Sequence, residues 1–114
     1  MTRVGLRAEA IALALFCGGC IAAAVEALAS GPMISQRGRA FLPGEVTIAR
    51  GEALRILNDD GLLLHHVFVD APDFRFDSDE IEPGQVVAIQ FPRPGRYTVL
   101  CRIHPRMRLD VTVR

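Results

Sequence analysis

Segments in which apolar and polar residues alternate fill most of the chain after residue 40, and this alternation constrains its fold more than any other feature. In the last such segment, Leu109, Val111 and Val113 alternate with polar residues. Successive side chains of a β-strand point to opposite faces, so a period of two predicts strands with one buried face. Three Pro-Gly pairs mark turns between the segments. The pattern predicts an all-β domain, a small β-sandwich of about seven to eight strands, with an irregular acidic stretch from Asp70 to Glu82.

The N-terminus carries the features of an export signal. Arg3 and Arg7 precede an apolar run of sixteen residues, 10–25, and small residues then flank Leu28 in the pattern that signal peptidase accepts. A membrane-spanning helix needs about 20 apolar residues, so the run predicts a signal helix within a cleaved signal peptide, residues 1–29. The two arginines are not adjacent, which predicts Sec-type export to the periplasm. A membrane-anchored form is the alternative, and we expect no stable membrane association after cleavage.

Removal of the signal peptide would leave one domain, residues 30–114, in which Cys101 is the only cysteine. A lone thiol in an exported domain has no partner for an internal disulfide. One interpretation is a buried cysteine that acts as a small apolar side chain. The other is a cysteine that binds a metal ion, and a bound metal would also stabilise a domain of this size.

Soft metal ligands recur at intervals of three in the loop before the last strand. Cys101, His104 and Met107 supply a thiolate, an imidazole and a thioether, and Pro105 stiffens the turn beside the histidine. This loop is the first place where the sequence predicts a metal site.

The other two histidines of the chain are adjacent, and strand alternation distinguishes them. His65 shares a face with Val67, whereas His66 points to the opposite face. If the inward faces converge, His65 and Cys101 meet at one end of the sandwich, and the loop closes the site. Two imidazoles, one thiolate and one weak thioether suit a mononuclear copper ion that transfers electrons, whereas structural zinc sites rarely use methionine.

The order of these motifs resembles the cupredoxins. A His-x-Val segment follows an Asn/Asp/Gly turn, a Pro-Gly-x-Tyr segment leads to the cysteine, and Cys-x-x-His-Pro-x-Met precedes a final Val-x-Val strand. The loop spacing is most similar to that of amicyanin and the plastocyanin-like proteins, and the resemblance extends from about Phe41 to Val113. It implies a cupredoxin-like Greek-key β-sandwich with a type 1 (blue) copper centre that holds one ion, Cu(I) or Cu(II). The implied ligands are His65, Cys101, His104 and the axial Met107.

Two positions depart from the pattern of the family. The residue after the first ligand is usually Asn, whose side chain ties the two ligand-bearing segments together, and here it is His66. The family also commonly has Gly two residues after the methionine, where this chain has Leu109. We expect His66 to lie outside the metal's own ligand set.

The resemblance implies a one-electron carrier between redox partner proteins. Together with the signal peptide, it leads us to expect an exported protein that is a monomer and not an enzyme. A periplasmic copper-binding protein for storage, delivery or tolerance is the alternative. A thiol enzyme with Cys101 as nucleophile is a third class, for which the sequence shows no orienting group. Nucleic acid is not an expected partner, because 13 basic and 13 acidic residues balance. One hypothesis is that Arg102, Arg106 and Arg108 form a basic collar that steers an acidic redox partner.

Overall fold

The computed structural model describes residues 31–114, which form nine strands and no helix. The strands are β1 (Met33–Gln36), β2 (Phe41–Leu42), β3 (Glu45–Ile48), β4 (Ala53–Asn58), β5 (Val67–Ala71), β6 (Phe74–Asp77), β7 (Val86–Gln90), β8 (Gly95–Cys101) and β9 (Arg108–Val113). Within these residues no helix is long and apolar enough to cross a membrane. The predicted signal peptide, residues 1–29, lies outside the described part of the chain and stays a prediction.

The strands form two sheets that pack face to face. One sheet has four strands in the order β2-β1-β4-β7, and the other has five in the order β3-β9-β8-β5-β6. Most neighbours are antiparallel, but β1 pairs with β4 and β3 pairs with β9 in parallel. The chain passes repeatedly from one sheet to the other, which confirms the predicted all-β sandwich.

Apolar side chains from both sheets fill the space between them. Along β8 and β9 every second residue is buried, as the alternation predicts. Tyr97, Val99 and Cys101 point inward from β8, and Leu109 and the two valines after it point inward from β9. Burying each such aliphatic side chain contributes about 1.5–3 kcal/mol, so the shared core holds the two sheets together.

The predicted number of strands was too low, and the stretch Asp70 to Glu82 is not wholly irregular. It contains β6, an edge strand that pairs with β5. Phe74 and Phe76 alternate there with charged residues and are half-buried against the core. The acidic composition of the stretch concealed a period of two, because an edge strand needs only one partly covered face.

The candidate ligands gather at one end of the sandwich because of the register of its strands. Val67, at the start of β5, lies opposite Cys101 at the end of β8. The loop after Cys101 returns into β9 at Arg108, so the loop and the segment before β5 share that end. The opposite end is marked by Ile48 of β3 and Val113 of β9, which are paired.

Candidate metal centre

His65 and Cys101 lie inside the sandwich at this end. His65 precedes β5 and is held by two backbone hydrogen bonds to Ile81, one donated by each residue. Its side chain has no exposed area, and Cys101 is 1% exposed. The prediction that His65 faces the core with Val67 is confirmed, as is the prediction that His66 points away from it.

Three donor atoms converge here at distances that suit a single metal ion. The sulfur of Cys101 lies 3.7 Å from Nδ1 of His65 and 3.8 Å from Nδ1 of His104. The ligand atoms of the three residues all lie within 4.8 Å of one another. Metal–ligand bonds of about 2.3 Å to sulfur and about 2.0 Å to nitrogen, meeting at about 120°, separate the two atoms by about 3.7 Å. Both sulfur–nitrogen distances therefore match those of ligands that share one metal ion.

The loop that follows Cys101 supplies the remaining candidate ligands. His104 is half-buried, and Met107 is 2% exposed beneath the loop. The Met107 amide donates a hydrogen bond to the His104 carbonyl oxygen, which closes the turn around Pro105. Burial lowers the pKa of His104 below its usual 6.5, and the nearby His65 and Arg39 lower it further. Neutral imidazole, the form that binds metals, is therefore favoured at His104.

Asp60 orients His65, and sequence reasoning missed it. Its carboxylate accepts a hydrogen bond of 2.7 Å from Nε2 of His65. With the proton on Nε2, Nδ1 is left free to face the sulfur, as metal-binding histidines held by a carboxylate usually do. Burial raises the pKa of Asp60, but hydrogen bonds from His65 and from the backbone of Gly38 and Arg39 outweigh it and hold the pKa below 3.8. The Asn-Asp-Asp-Gly run marked a turn in the sequence and carried no sign of this contact.

Asn58 fixes the segment that carries Asp60 and His65. Its buried side-chain amide donates hydrogen bonds of 2.8 Å to the carbonyl oxygens of Leu63 and Ile81. Its side-chain oxygen accepts one from the amide of Asp60. These bonds join the end of β4 to both segments that flank His65, so the imidazole has little freedom to shift.

His66 links the two ligand-bearing segments, although it replaces the Asn usual in the family. Its backbone N–H donates to the sulfur of Cys101 at 3.4 Å. Its carbonyl oxygen accepts from the amide of Arg102. Its imidazole bonds to Asp77, whose other carboxylate oxygen accepts from the Arg102 side chain. The Asp77 carboxylate thus bridges the residues that directly follow His65 and Cys101, and its role could not be read from the sequence.

The donor set fits copper better than zinc. Two imidazoles and a thiolate, with a thioether available from Met107, are the ligands of mononuclear copper sites that transfer electrons. The N–H of His66 gives the sulfur a hydrogen-bond donor. Structural zinc sites are closed tetrahedra of Cys and His and have no use for a thioether.

Known proteins are similar to this chain in sequence and in fold. No family model matches the chain. The plastocyanin of Ulva arasakii is 31% identical over 85 residues, which cover 66% of this chain and 87% of that protein. The chain belongs to the plastocyanin/amicyanin-like cupredoxins.

Solved structures agree with the assignment of the chain to the cupredoxins. Amicyanin from Paracoccus versutus superposes with a TM-score of 0.68 at 28% identity, over 80% of this cupredoxin and 88% of that chain. A Cu-containing nitrite reductase from Thermus scotoductus has a TM-score of 0.68 at 24% identity, over 75% of this chain. This cupredoxin spans only 22% of the reductase, so that comparison shows a shared fold alone. The predicted resemblance to the cupredoxins is confirmed.

Proposed function

We propose that this cupredoxin binds one copper ion through His65, Cys101, His104 and Met107 and carries single electrons between redox partner proteins. One observation carries the proposal. Nδ1 of His65 and Nδ1 of His104 lie 3.7 Å and 3.8 Å from the buried sulfur of Cys101, the separation expected of ligands that share one metal ion. The family to which the chain belongs supports it, since its named members include plastocyanin.

Copper, when bound, supplies a couple between Cu(I) and Cu(II) that accepts or releases one electron. The protein's part is to keep the ligands in nearly the same positions in both states. Asp60 and Asn58 hold His65, and the His66 amide holds the sulfur of Cys101. A preorganised site of this kind needs little rearrangement during electron transfer. His104 is the half-buried member of the set and provides the shortest route from the centre to the surface.

The site is poorly suited to thiol catalysis. The sequence showed no orienting group for a Cys–His pair, yet Asp60 does bond to His65 and completes such an arrangement. Cys101 and His65 are buried to 1% and 0% exposure, however, so no substrate reaches the sulfur. A nucleophile must contact its substrate, and this thiol is enclosed by the surrounding residues of the sandwich.

Loading the full-length chain with Cu(II) tests the proposal. We expect an intense visible absorption from charge transfer between the thiolate and copper, and reversible one-electron reduction. Cys101→Ser removes the band, whereas Thr112→Ser, in β9 and remote from the ligands, retains it. A colourless complex that loses copper readily to a chelator would favour storage or delivery instead. Retention of the band in Cys101→Ser would refute the assignment of the sulfur.

We also propose that the protein is exported and acts in the periplasm as a monomer, after cleavage of residues 1–29. The arginines, apolar run and small residues of that segment support export. Fractionation of producing cells tests it, and the mass of the recovered protein reports whether cleavage occurs before Ser30. Recovery of the uncleaved chain in the membrane fraction would favour the anchored form.

A further inference from the structure

The surface around His104 is positively charged and partly apolar. A shallow depression there is lined by Arg39, Ile103, His104, Pro105 and Arg106, a set we call the His104 face. None of these five lining residues is acidic. Two separate loops form the face: the turn between β1 and β2 contributes Arg39, and the loop between β8 and β9 contributes the rest.

The two arginines of the His104 face carry uncompensated charge. Both are exposed, and within residues 31–114 neither forms a salt bridge. Arg102 instead pairs with Asp77, and the Arg108 side chain pairs with its neighbour Asp110. Of the three arginines in the hypothetical basic collar, Arg106 lines this face, whereas Arg102 and Arg108 each pair with a carboxylate. The steering role of the collar stays a prediction.

Arg39 is fixed in place beside the metal centre. Its backbone N–H and that of Gly38 donate to the carboxylate of Asp60, at 3.3 Å and 2.6 Å. Reciprocal backbone hydrogen bonds between Arg37 and Ala40 close the turn that carries it. The same carboxylate also accepts a hydrogen bond from His65. Asp60 therefore holds both a candidate metal ligand and the backbone of a surface arginine. The backbone from which the Arg39 side chain extends is therefore held in place.

The chemistry of this face indicates what it binds. Ile103 is 43% exposed and lines the depression together with Pro105 and the two arginines. Apolar side chains combined with charged ones are typical of protein interfaces, whose charges mainly accelerate the encounter of partners with opposite charge. We infer that the His104 face docks a redox partner protein that presents a carboxylate-rich surface around its own redox centre. This inference rests on the proposed electron-carrier function.

Oxidation of the reduced, copper-loaded chain by small complexes of opposite charge tests the inference. Hexacyanoferrate(III) is a trianion and tris(phenanthroline)cobalt(III) a trication, and each takes one electron as Cu(I) becomes Cu(II). One guanidinium roughly 10 Å from a trivalent ion, at an ionic strength of about 0.01 M, changes the rate of encounter about fivefold. It raises the rate for an anion and lowers it for a cation. We expect Arg39→Gln and Arg106→Gln each to slow the trianion about fivefold and to accelerate the trication about fivefold.

Arg50→Gln provides the matched control. Arg50 follows β3 at the opposite end of the sandwich, about 17 Å or more from the ligand loop by the length of β9. Its effect on either rate should stay below about twofold. The reduction potential of each variant is measured as well, so that a changed driving force is not mistaken for a changed encounter rate. Equal responses of all three variants would overturn the inference.

A second measurement does not depend on electron transfer. A hexaglutamate peptide is titrated into the isotopically labelled chain while amide NMR shifts are recorded. We expect shifts at the amides of Arg39, Ile103, His104 and Arg106, which are lost in the double variant Arg39→Gln/Arg106→Gln. Shifts confined to another surface, or none at all, would overturn the docking face. Failure to bind copper with retained peptide shifts would refute the proposed function and leave the face intact.

Discussion

Replacing Asp60 with Asn removes one charge and one acceptor from the most connected polar side chain of the centre. One carboxylate oxygen accepts from the Gly38 amide, and the other accepts from Arg39 and from His65. An asparagine has a single oxygen, so its NH₂ group must face either the Gly38 N–H or the His65 Nε2–H. A buried donor without an acceptor costs about 1–3 kcal/mol, and we expect the free energy of unfolding of the metal-free protein to fall by that amount.

The same substitution should weaken copper binding. Loss of the partner of a metal-binding histidine typically lowers affinity about 10–100-fold. The negative charge of Asp60 stabilises Cu(II) more than Cu(I), so the substitution should lower the affinity for Cu(II) more than the affinity for Cu(I). Each tenfold loss specific to Cu(II) raises the reduction potential by about 59 mV. We therefore expect Asp60→Asn to raise the potential by up to about 60–120 mV.

Three measurements on Asp60→Asn separate these effects. Urea unfolding gives the stability, competition with a chelator gives the Cu(II) affinity, and voltammetry gives the potential. Asp59→Asn is the matched control, because Asp59 is exposed and its side chain, within residues 31–114, has polar partners only in Ser35 and Arg37. It should change the stability by less than about 0.5 kcal/mol and leave the potential unchanged. A normal affinity and potential in Asp60→Asn would refute the argument that the carboxylate acts on the metal through His65.

Three further predictions follow from the same structure. Gln36 is fully buried, and neither polar atom of its side chain has a hydrogen-bond partner within residues 31–114. Gln36→Met should therefore raise the free energy of unfolding by about 1–3 kcal/mol in urea titrations, and a decrease would show that the amide is satisfied. Hydrogen bonds from the Asp79 amide and from His66, with a further contribution from Arg102, lower the pKa of Asp77 from 3.8 to about 2. Stability from this carboxylate is complete above pH 3.8 and is lost as the pH falls to about 2, so Asp77→Asn should flatten the unfolding free energy in that window. An unchanged pH profile would contradict the contacts of Asp77. Removal of copper should lower the melting temperature, since free copper at 100 times its dissociation constant stabilises the fold by about 2.7 kcal/mol; equal melting of both forms would exclude a bound ion.

The sequence by itself determined the class of fold and the candidate metal donors. Alternation along β8 and β9 sets which side chains face the core, since a strand's geometry depends only on successive residues. Cys101, His104 and Met107 lie within seven residues, and one loop brings them together. His65 was assigned by its parity with Val67, another local property. The edge strand β6 was missed because its alternation spans only four residues within an acidic stretch.

Only the tertiary structure decided what surrounds those donors. Asp60 contacts Gly38 across 22 positions of the chain, and Arg102 contacts Asp77 across 25. Such contacts depend on which strands become neighbours and in which register, and a local pattern of residue types does not encode either. Arg39 illustrates the point, because it lies 65 positions before His104 in the sequence. Both residues nevertheless line one surface, since β1 and β8 finish at the same end of the sandwich.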